Sequence, residues 1–144
     1  MSVYADTSFI LALYHPDALH ARATAYMTRH AAPLALTAIQ EAEVRNAFRL
    51  RVPQLRSSSE EIFRALAHFD RDINDGIYAY HSPNWSEVFR LLERISQKYT
   101  ERGAHRFADL LHVACAMTIQ AKIFLSFDQR QAGLAKALGL KTPL

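Results

Sequence analysis

Four acidic residues, scattered along the whole chain, stand where carboxylates could act together. Asp6 closes the β-branched and aromatic run Val3-Tyr4-Ala5 and is followed by Thr7, Ser8 and the apolar stretch Phe9–Leu13. A strand can end at Asp6 and a helix can begin at Thr7 or Ser8, both favourable N-cap residues. Asp128 lies two residues beyond the strand-like run Lys122–Ser126. Glu43, with Glu41 as its competitor, lies near the start of a helix that follows the short apolar run Leu34-Ala35-Leu36. Asp109 stands early in an otherwise apolar helix spanning about residues 106–119. In a parallel sheet, acids that follow successive strands share the carboxyl edge, where ligands bind in open α/β folds. Asp109 reaches the same level by length. From Asp109 to Gln120 a helix rises about 17 Å, and from Lys122 to Phe127 a strand rises about 17 Å in return.

Four such carboxylates drawn together unpaired would repel and raise one another's pKa. A hard divalent cation removes that cost, and carboxylate and water oxygens suit Mg²⁺ or Mn²⁺. Such an ion polarises a phosphoryl oxygen and generates hydroxide near neutral pH, and a second ion stabilises the leaving oxygen. No cysteine cluster or paired-histidine spacing suggests zinc, and no glycine-rich loop suggests a nucleotide cradle. Each acid also has a plainer explanation: Asp6 and Asp128 are good helix caps, and Asp109 suits a helix N-terminus. Glu41 and Glu43 point roughly 200° apart around their helix, so only one of them can face a shared site.

The elements that must position these acids follow from apolar periodicity and breakers. Val3–Ala5, Leu34–Leu36, Ile77–Tyr80 and Lys122–Ser126 read as strands, the third at a sheet edge, with a short final strand over Leu140–Thr142. Between them lie helical segments at Phe9–Tyr14, His20–His30, Ile39–Leu50, one capped by Ser57-Ser58-Ser59-Glu60, one after Pro83-Asn84, one at Arg106–Ile119, and one running through Leu138 to Gly139. Asn74-Asp75-Gly76 is a turn, and Gly103 opens a loop. The apolar sets predict inward faces built from Ala21, Ala25 and Tyr26, from Ile39, Ala42, Val44, Ala47, Phe48 and Leu50, from Ile62, Phe63, Leu66, Ala67 and Phe69, and from Val88, Leu91, Leu92 and Ile95. Strands alternating with helices predict a single domain over 1–144, an α/β sandwich on a parallel sheet.

Composition bounds the partners. The 144 residues are 50% hydrophobic and 22% charged, a soluble globular balance. No apolar run is long enough to span a membrane and no secretory leader is legible. With Cys115 as the single cysteine no internal disulfide can form, which fits a reducing, cytoplasmic location. The formal net charge of +3 is compatible with a phosphate-backbone partner.

Taken in order, Val3-Tyr-Ala-Asp-Thr-Ser8, Gln40-Glu-Ala-Glu-Val-Arg-Asn-Ala47, Ala108-Asp-Leu-Leu-His-Val-Ala-Cys-Ala116 and Phe124-Leu-Ser-Phe-Asp128 resemble the PIN-domain family, specifically its VapC-type toxins of bacterial toxin–antitoxin pairs. The resemblance covers nearly the whole chain. It implies a three-layer α/β/α sandwich with parallel strand order 3-2-1-4-5 and a Mg²⁺- or Mn²⁺-dependent endoribonuclease. By position it assigns Asp6, Glu43, Asp109 and Asp128 as catalytic metal ligands, selects Glu43 over Glu41, and places the Thr7 or Ser8 hydroxyl beside the metal. It implies an RNA substrate, with tRNA or rRNA among the candidates, a homodimer, and a cognate antitoxin whose tail reaches the acidic pocket. Metal-activated water would attack the phosphodiester in line and leave 5′-phosphate and 3′-hydroxyl ends.

Other residues qualify that expectation. Asn46 is placed either to brace Glu43 or to touch substrate. Arg45, Arg49, Arg51 and Arg56 form a local basic concentration, read either as a solvated face or as an RNA-backbone contact whose binding weakens with salt. His112, one turn after Asp109, reads as a buried hydrogen-bonded histidine in preference to a ligand. Cys115 reads as core, and Tyr78 and Tyr80 as packing residues. The rival functions are a non-catalytic PIN-like RNA-binding or scaffold protein and a receiver-like phosphoacceptor domain. The latter needs a lysine beyond a later strand, whereas Lys122 begins one.

Overall fold

The computed structural model describes residues 2–144. Each strand is only three residues long: β1 Val3–Ala5, β2 Leu34–Leu36, β3 Tyr78–Tyr80 and β4 Ile123–Leu125. They form one parallel sheet in the order β3-β2-β1-β4, with Val3 opposite both Leu34 and Ile123. The central strand β1 is wholly buried, and β3 lies at an edge with only Tyr78 buried, so strand burial follows position in the sheet. The expected fifth strand is reduced to a single parallel bridge between Ile123 and Lys141, beside β4. Gly139 turns the chain with φ +93° just before it, and Pro143 just after it has no N–H with which to extend a ladder.

Among the described residues seven helices connect and cover the sheet: α1 Thr7–Tyr14, α2 His20–Arg29, α3 Ala38–Leu50, α4 Ser59–Asn74, α5 Trp85–Gly103, α6 Phe107–Thr118 and α7 Gln129–Ala137. Their starts follow from local chemistry. Asp6 caps α1, Thr37 and Gln40 form a capping box on α3, Ser58 and Glu61 form another on α4, and Asn84 caps α5. Ser58→Ala should therefore lower stability by about 1 kcal/mol, seen as a fall of about 3 °C in the thermal midpoint. An unchanged midpoint would show that water replaces this cap without loss.

Two apolar clusters lie on opposite faces of the sheet. One joins Val3, Ala5, Leu34 and Leu36 to Phe9, Ile10, Tyr26, Val44, Phe48, Ile62 and Phe69 of α1–α4. The other joins Tyr4 and Phe124 to Val88, Leu92 and Ile95 of α5, to α6, and to Leu134 and Ala135 of α7. The strand alternation of Val3, Tyr4 and Ala5 thus separates the two layers, and the three-layer α/β/α sandwich stands.

The helix faces differ from the sequence expectation in a consistent way. α3 buries Gln40, Val44 and Phe48, while Leu50 is 48% exposed. α4 buries Ile62, Ala65 and Phe69, while Phe63 is 75% exposed. α2 buries Ala23 and Tyr26, and Ala21 is exposed. Each of these three helices buries one narrow stripe, so apolar side chains off that stripe find nothing to cover them, whereas α6 is buried from Leu110 through Ala116. Only on α5 does the expected set match closely, with Val88, Leu92 and Ile95 buried. Gly103 ends α5 and does not open the loop. The left-handed cap is Ala104, at φ 51°. A Cβ on Gly103 would come within 2.4 Å of the His105 ring, so a larger residue there would displace that side chain.

Candidate active site

The site begins where β1 ends. Asp6 continues the burial of β1, and its carboxylate turns back to cap α1, accepting from Phe9 N at 3.1 Å. Two hydroxyls complete its shell. Ser8 Oγ donates to Oδ1 at 2.6 Å, and Ser126 Oγ, from the end of β4, donates to Oδ2. Burial pushes the Asp6 carboxyl up from its ordinary value, and the Ser126, Ser8 and Phe9 hydrogen bonds pull against it. The same serines tie the neighbouring loop down. Ser8 Oγ accepts from Phe127 N at 2.9 Å, and Ser126 Oγ accepts from Asp128 N at 3.0 Å. Asp128 is exposed and caps α7 through bonds from Arg130 N at 3.0 Å and Gln131 N at 3.2 Å.

Glu43 stands in the second turn of α3, the helix that leaves β2 at the same edge. Its Oε1 accepts from Thr7 Oγ1, the residue after Asp6, and from His112 Nε2 at 2.8 Å. Partial burial pushes the Glu43 carboxyl up, but His112 and the Thr7 hydroxyl together outweigh it and leave it below its ordinary value. His112 is itself buried, and its Nδ1 lies 2.8 Å from Tyr4 OH. Burial, reinforced by the Cys115 thiol, pushes the Tyr4 phenol well up, so it keeps a proton to donate. Glu41 points elsewhere, held by Arg45 at 2.9 Å and by Tyr80 OH.

Asp109 is the third residue of α6, one helical turn before His112, and its Oδ2 accepts from Arg106 N at 3.3 Å. Arg130 Nη1 donates to Ala104 O at 3.3 Å and thereby draws the start of α7 toward the loop before α6. Ser126 links Asp6 to the Asp128 backbone, Thr7 links Glu43 to the residue after Asp6, and His112 links Glu43 to the helix that carries Asp109, but these links do not bring the four acids together. They do not converge into a ready-made cage. Among the described residues no three histidine, cysteine, aspartate or glutamate side chains come close enough to hold an ion. Each of the four is engaged by hydroxyl, imidazole or backbone donors in its own place.

The donor set nevertheless fits a hard divalent cation. It is made of oxygens. Among the described residues none of the four acids forms an ion pair with a lysine or arginine, although Glu41, Glu60 and Asp70 do. A carboxylate as deeply buried as Asp6 with no cation beside it is costly unless an ion joins it.

The expected substrate contacts divide. Thr7 and Ser8 spend their hydroxyls on Glu43 and on Asp6 with the Phe127 amide. Arg45 is neutralised by Glu41 and Asp70 and lies over the Phe69 ring at 5.2 Å, so its positive charge is not free for RNA. Asn46 and Arg49 are exposed. Sequence reasoning missed Ser126 and Tyr4 as parts of the site. Ser126 could have been found as a hydroxyl two residues before Asp128 at the edge that Asp6 occupies. Tyr4 carries no such signal, since a tyrosine inside an apolar strand reads as packing. Lys122, wanted by a receiver-like site, stands at the amino end of β4, opposite the acids.

The PIN domain family profile matches residues 3–137, and the chain belongs to that family. No curated protein sequence matches it. Among solved structures it is similar to VapC20 of Mycobacterium tuberculosis, described as a sarcin-ricin loop cleaving toxin, at 18% identity and TM-score 0.67, over 96% of this chain and 95% of that one. It is similar to FitAcB from Neisseria gonorrhoeae at 17% identity and TM-score 0.68, over 99% and 96%. It is also similar to PAE2754 from Pyrobaculum aerophilum at 12% identity and TM-score 0.56, over 99% and 89%. At these identities the likeness concerns the fold.

Proposed function

We propose that this PIN domain is a divalent-metal-dependent endoribonuclease and the toxin of a VapBC-type pair. The observation that carries the reading is the buried Asp6 carboxylate at the end of β1, which accepts from Ser8, Ser126 and Phe9 N and, among the described residues, pairs with no lysine or arginine. Family membership supports nuclease chemistry, and the similarity to VapC20 supports RNA, with rRNA or tRNA as the substrate class.

Asp6, Glu43, Asp109 and Asp128 would hold Mg²⁺ or Mn²⁺, which supplies a nucleophilic water at neutral pH and charge stabilisation at the phosphate. The residues of this chain orient and release. Ser8 and Ser126 fix both oxygens of Asp6, Thr7 and His112 fix one oxygen of Glu43, and Asp109 and Asp128 must give up their backbone contacts to join them. A carboxylate takes the proton from the attacking water. Asn46 and Arg49, which are exposed, would meet the RNA backbone. An antitoxin covering the acidic edge, a homodimer and a cytoplasmic site of action complete the proposal. Among the described residues no helix is long and apolar enough to cross a membrane.

The test is cleavage of a total-RNA pool by the purified chain with Mg²⁺, with Mn²⁺ and with EDTA. Discrete fragments bearing 5′-phosphate ends, formed only with metal, are the expected result. Fragments that persist in EDTA would overturn the metal mechanism. A folded protein that binds RNA but cuts none, with or without metal, would favour the non-catalytic RNA-binding reading.

A further inference from the structure

We propose that Tyr4 and His112 are positioning residues that aim Glu43 at the metal. This rests on the proposed role of Glu43 as a metal ligand. Tyr4 OH lies 2.8 Å from His112 Nδ1, and His112 Nε2 lies 2.8 Å from Glu43 Oε1. The atoms assign the direction of each bond. The Glu43 carboxylate can only accept, so Nε2 carries the ring proton. In the neutral ring Nδ1 then accepts, so Tyr4 donates.

The relay crosses the fold. Tyr4 belongs to β1 and packs in the cluster with α5–α7, His112 belongs to α6, and Glu43 belongs to α3 on the opposite layer. It is also rigid at its far end. Tyr4 is fully buried and stacks on Phe124 with centroids 5.5 Å apart and planes 8° apart, and its ring meets His112 edge-on at 5.9 Å. Glu43 itself is only partly buried and extends from a helix face, so without a fixed donor its carboxylate would sample several rotamers. Both observed bonds fall on Oε1, which orients Oε2 as well. A donor that fixes the orientation of a ligating carboxylate, and is itself oriented by a buried group, is the usual way an outer layer tunes a metal site.

The experiment is Mn²⁺ titration of the full chain, read by electron paramagnetic resonance of the free ion, with thermal midpoints taken on the same samples. The variants are Tyr4→Phe, His112→Leu, His112→Gln and Glu43→Gln. Tyr4→Phe keeps the stacking ring and is the mild variant should His112→Leu fail to fold. Tyr4→Phe and His112→Leu are expected to weaken Mn²⁺ binding about tenfold or more. His112→Gln, whose amide N–H can take the place of Nε2–H, should recover most of the loss. Imidazole ¹⁵N spectra should show the Nε2–H tautomer of His112 in the wild type and in Tyr4→Phe, where Glu43 still accepts, with the Nδ1 resonance shifted in Tyr4→Phe by loss of the phenol donor.

If Glu43→Gln weakens Mn²⁺ binding while Tyr4→Phe and His112→Leu change only the thermal midpoint, the relay is structural and this proposal alone is overturned. If Glu43→Gln binds Mn²⁺ like the wild type, or the wild type binds none, the metal role of Glu43 falls and the proposal falls with it.

Discussion

Asp6→Asn should abolish RNA cleavage and at the same time make the metal-free protein more stable at neutral pH. The activity loss should reach at least about 10³-fold, beyond the roughly 10–100-fold that loss of an outer-layer partner costs. The stability gain follows from the sign of the linkage. Burial raises the Asp6 pKa in the folded chain above its unfolded value. The folded state is therefore favoured while Asp6 is protonated, and that advantage is lost as pH rises through the folded pKa. Asparagine stays neutral, still offers an oxygen to Phe9 N and Ser8, and its amide can donate to the Ser126 hydroxyl.

The thermal midpoint of Asp6→Asn should accordingly exceed that of the wild type at pH 7, and the gap should close as pH falls below about 3.9. Glu43 acts with the opposite sign. Its folded pKa is lowered, so its contribution is present above the unfolded value and is lost as pH falls through the folded one. Adding Mg²⁺ should raise the midpoint of the wild type and not that of Asp6→Asn, because only the former gains a ligand in the folded state. An Asp6→Asn protein that cleaves RNA normally would remove Asp6 from the site. One that is less stable at pH 7 would show that the carboxylate's hydrogen bonds outweigh its desolvation.

Gln40→Leu should be the most damaging single change outside the acids. Gln40 is fully buried in α3. Its Nε2 donates to Ala5 O at 2.7 Å and to Ala35 O at 3.2 Å, and its Oε1 accepts from Thr37 N at 2.7 Å. One side chain therefore stitches the carboxyl ends of β1 and β2 to the start of α3. Leucine fills a similar volume but leaves those backbone groups without that partner in a dry place. Each buried group so orphaned costs about 1–3 kcal/mol, and the three together should cost about 3–5 kcal/mol. That corresponds to a fall of roughly 10 °C or more in the thermal midpoint.

Because Ala5 and Thr37 flank Asp6 and the helix that bears Glu43, Mn²⁺ affinity should fall along with stability. Gln40→Glu should be comparably unstable at pH 7, where a buried carboxylate would face two carbonyl oxygens. It should recover in acid, where the protonated carboxyl can donate to one of them. A Gln40→Leu midpoint within a degree or two of the wild type would show that the sheet edge relaxes to satisfy itself.

Much of this protein is written locally in its sequence. Val3–Ala5, Leu34–Leu36 and Ile123–Leu125 are short apolar runs followed by polar caps, and the caps Asp6, Thr37, Ser58 and Asn84 mark helix starts through the few residues beside them. The parallel sheet follows from the alternation of those elements, and the carboxyl-edge placement of Asp6 and Asp128 follows from the sheet. Such features depend on neighbours in the chain, so they can be read without coordinates.

The tertiary structure decided what depends on partners distant in sequence. It set Gln40 into the core while leaving Leu50 and Phe63 outside, because burial follows the stripe that meets the sheet and not the hydrophobicity of the residue alone. It separated Glu43 from Glu41 by giving the first Thr7 and His112 and the second Arg45 and Tyr80. It withdrew Arg45 from the basic face by pairing it with Asp70. It made Tyr4, Ser126 and His112 parts of the site through bonds spanning 108, 120 and 69 residues of chain. Hydrogen bonds act over a few ångströms of space with no regard for separation along the chain, so a pattern of residue types marks where an element begins but not which side chain another element will bring to it.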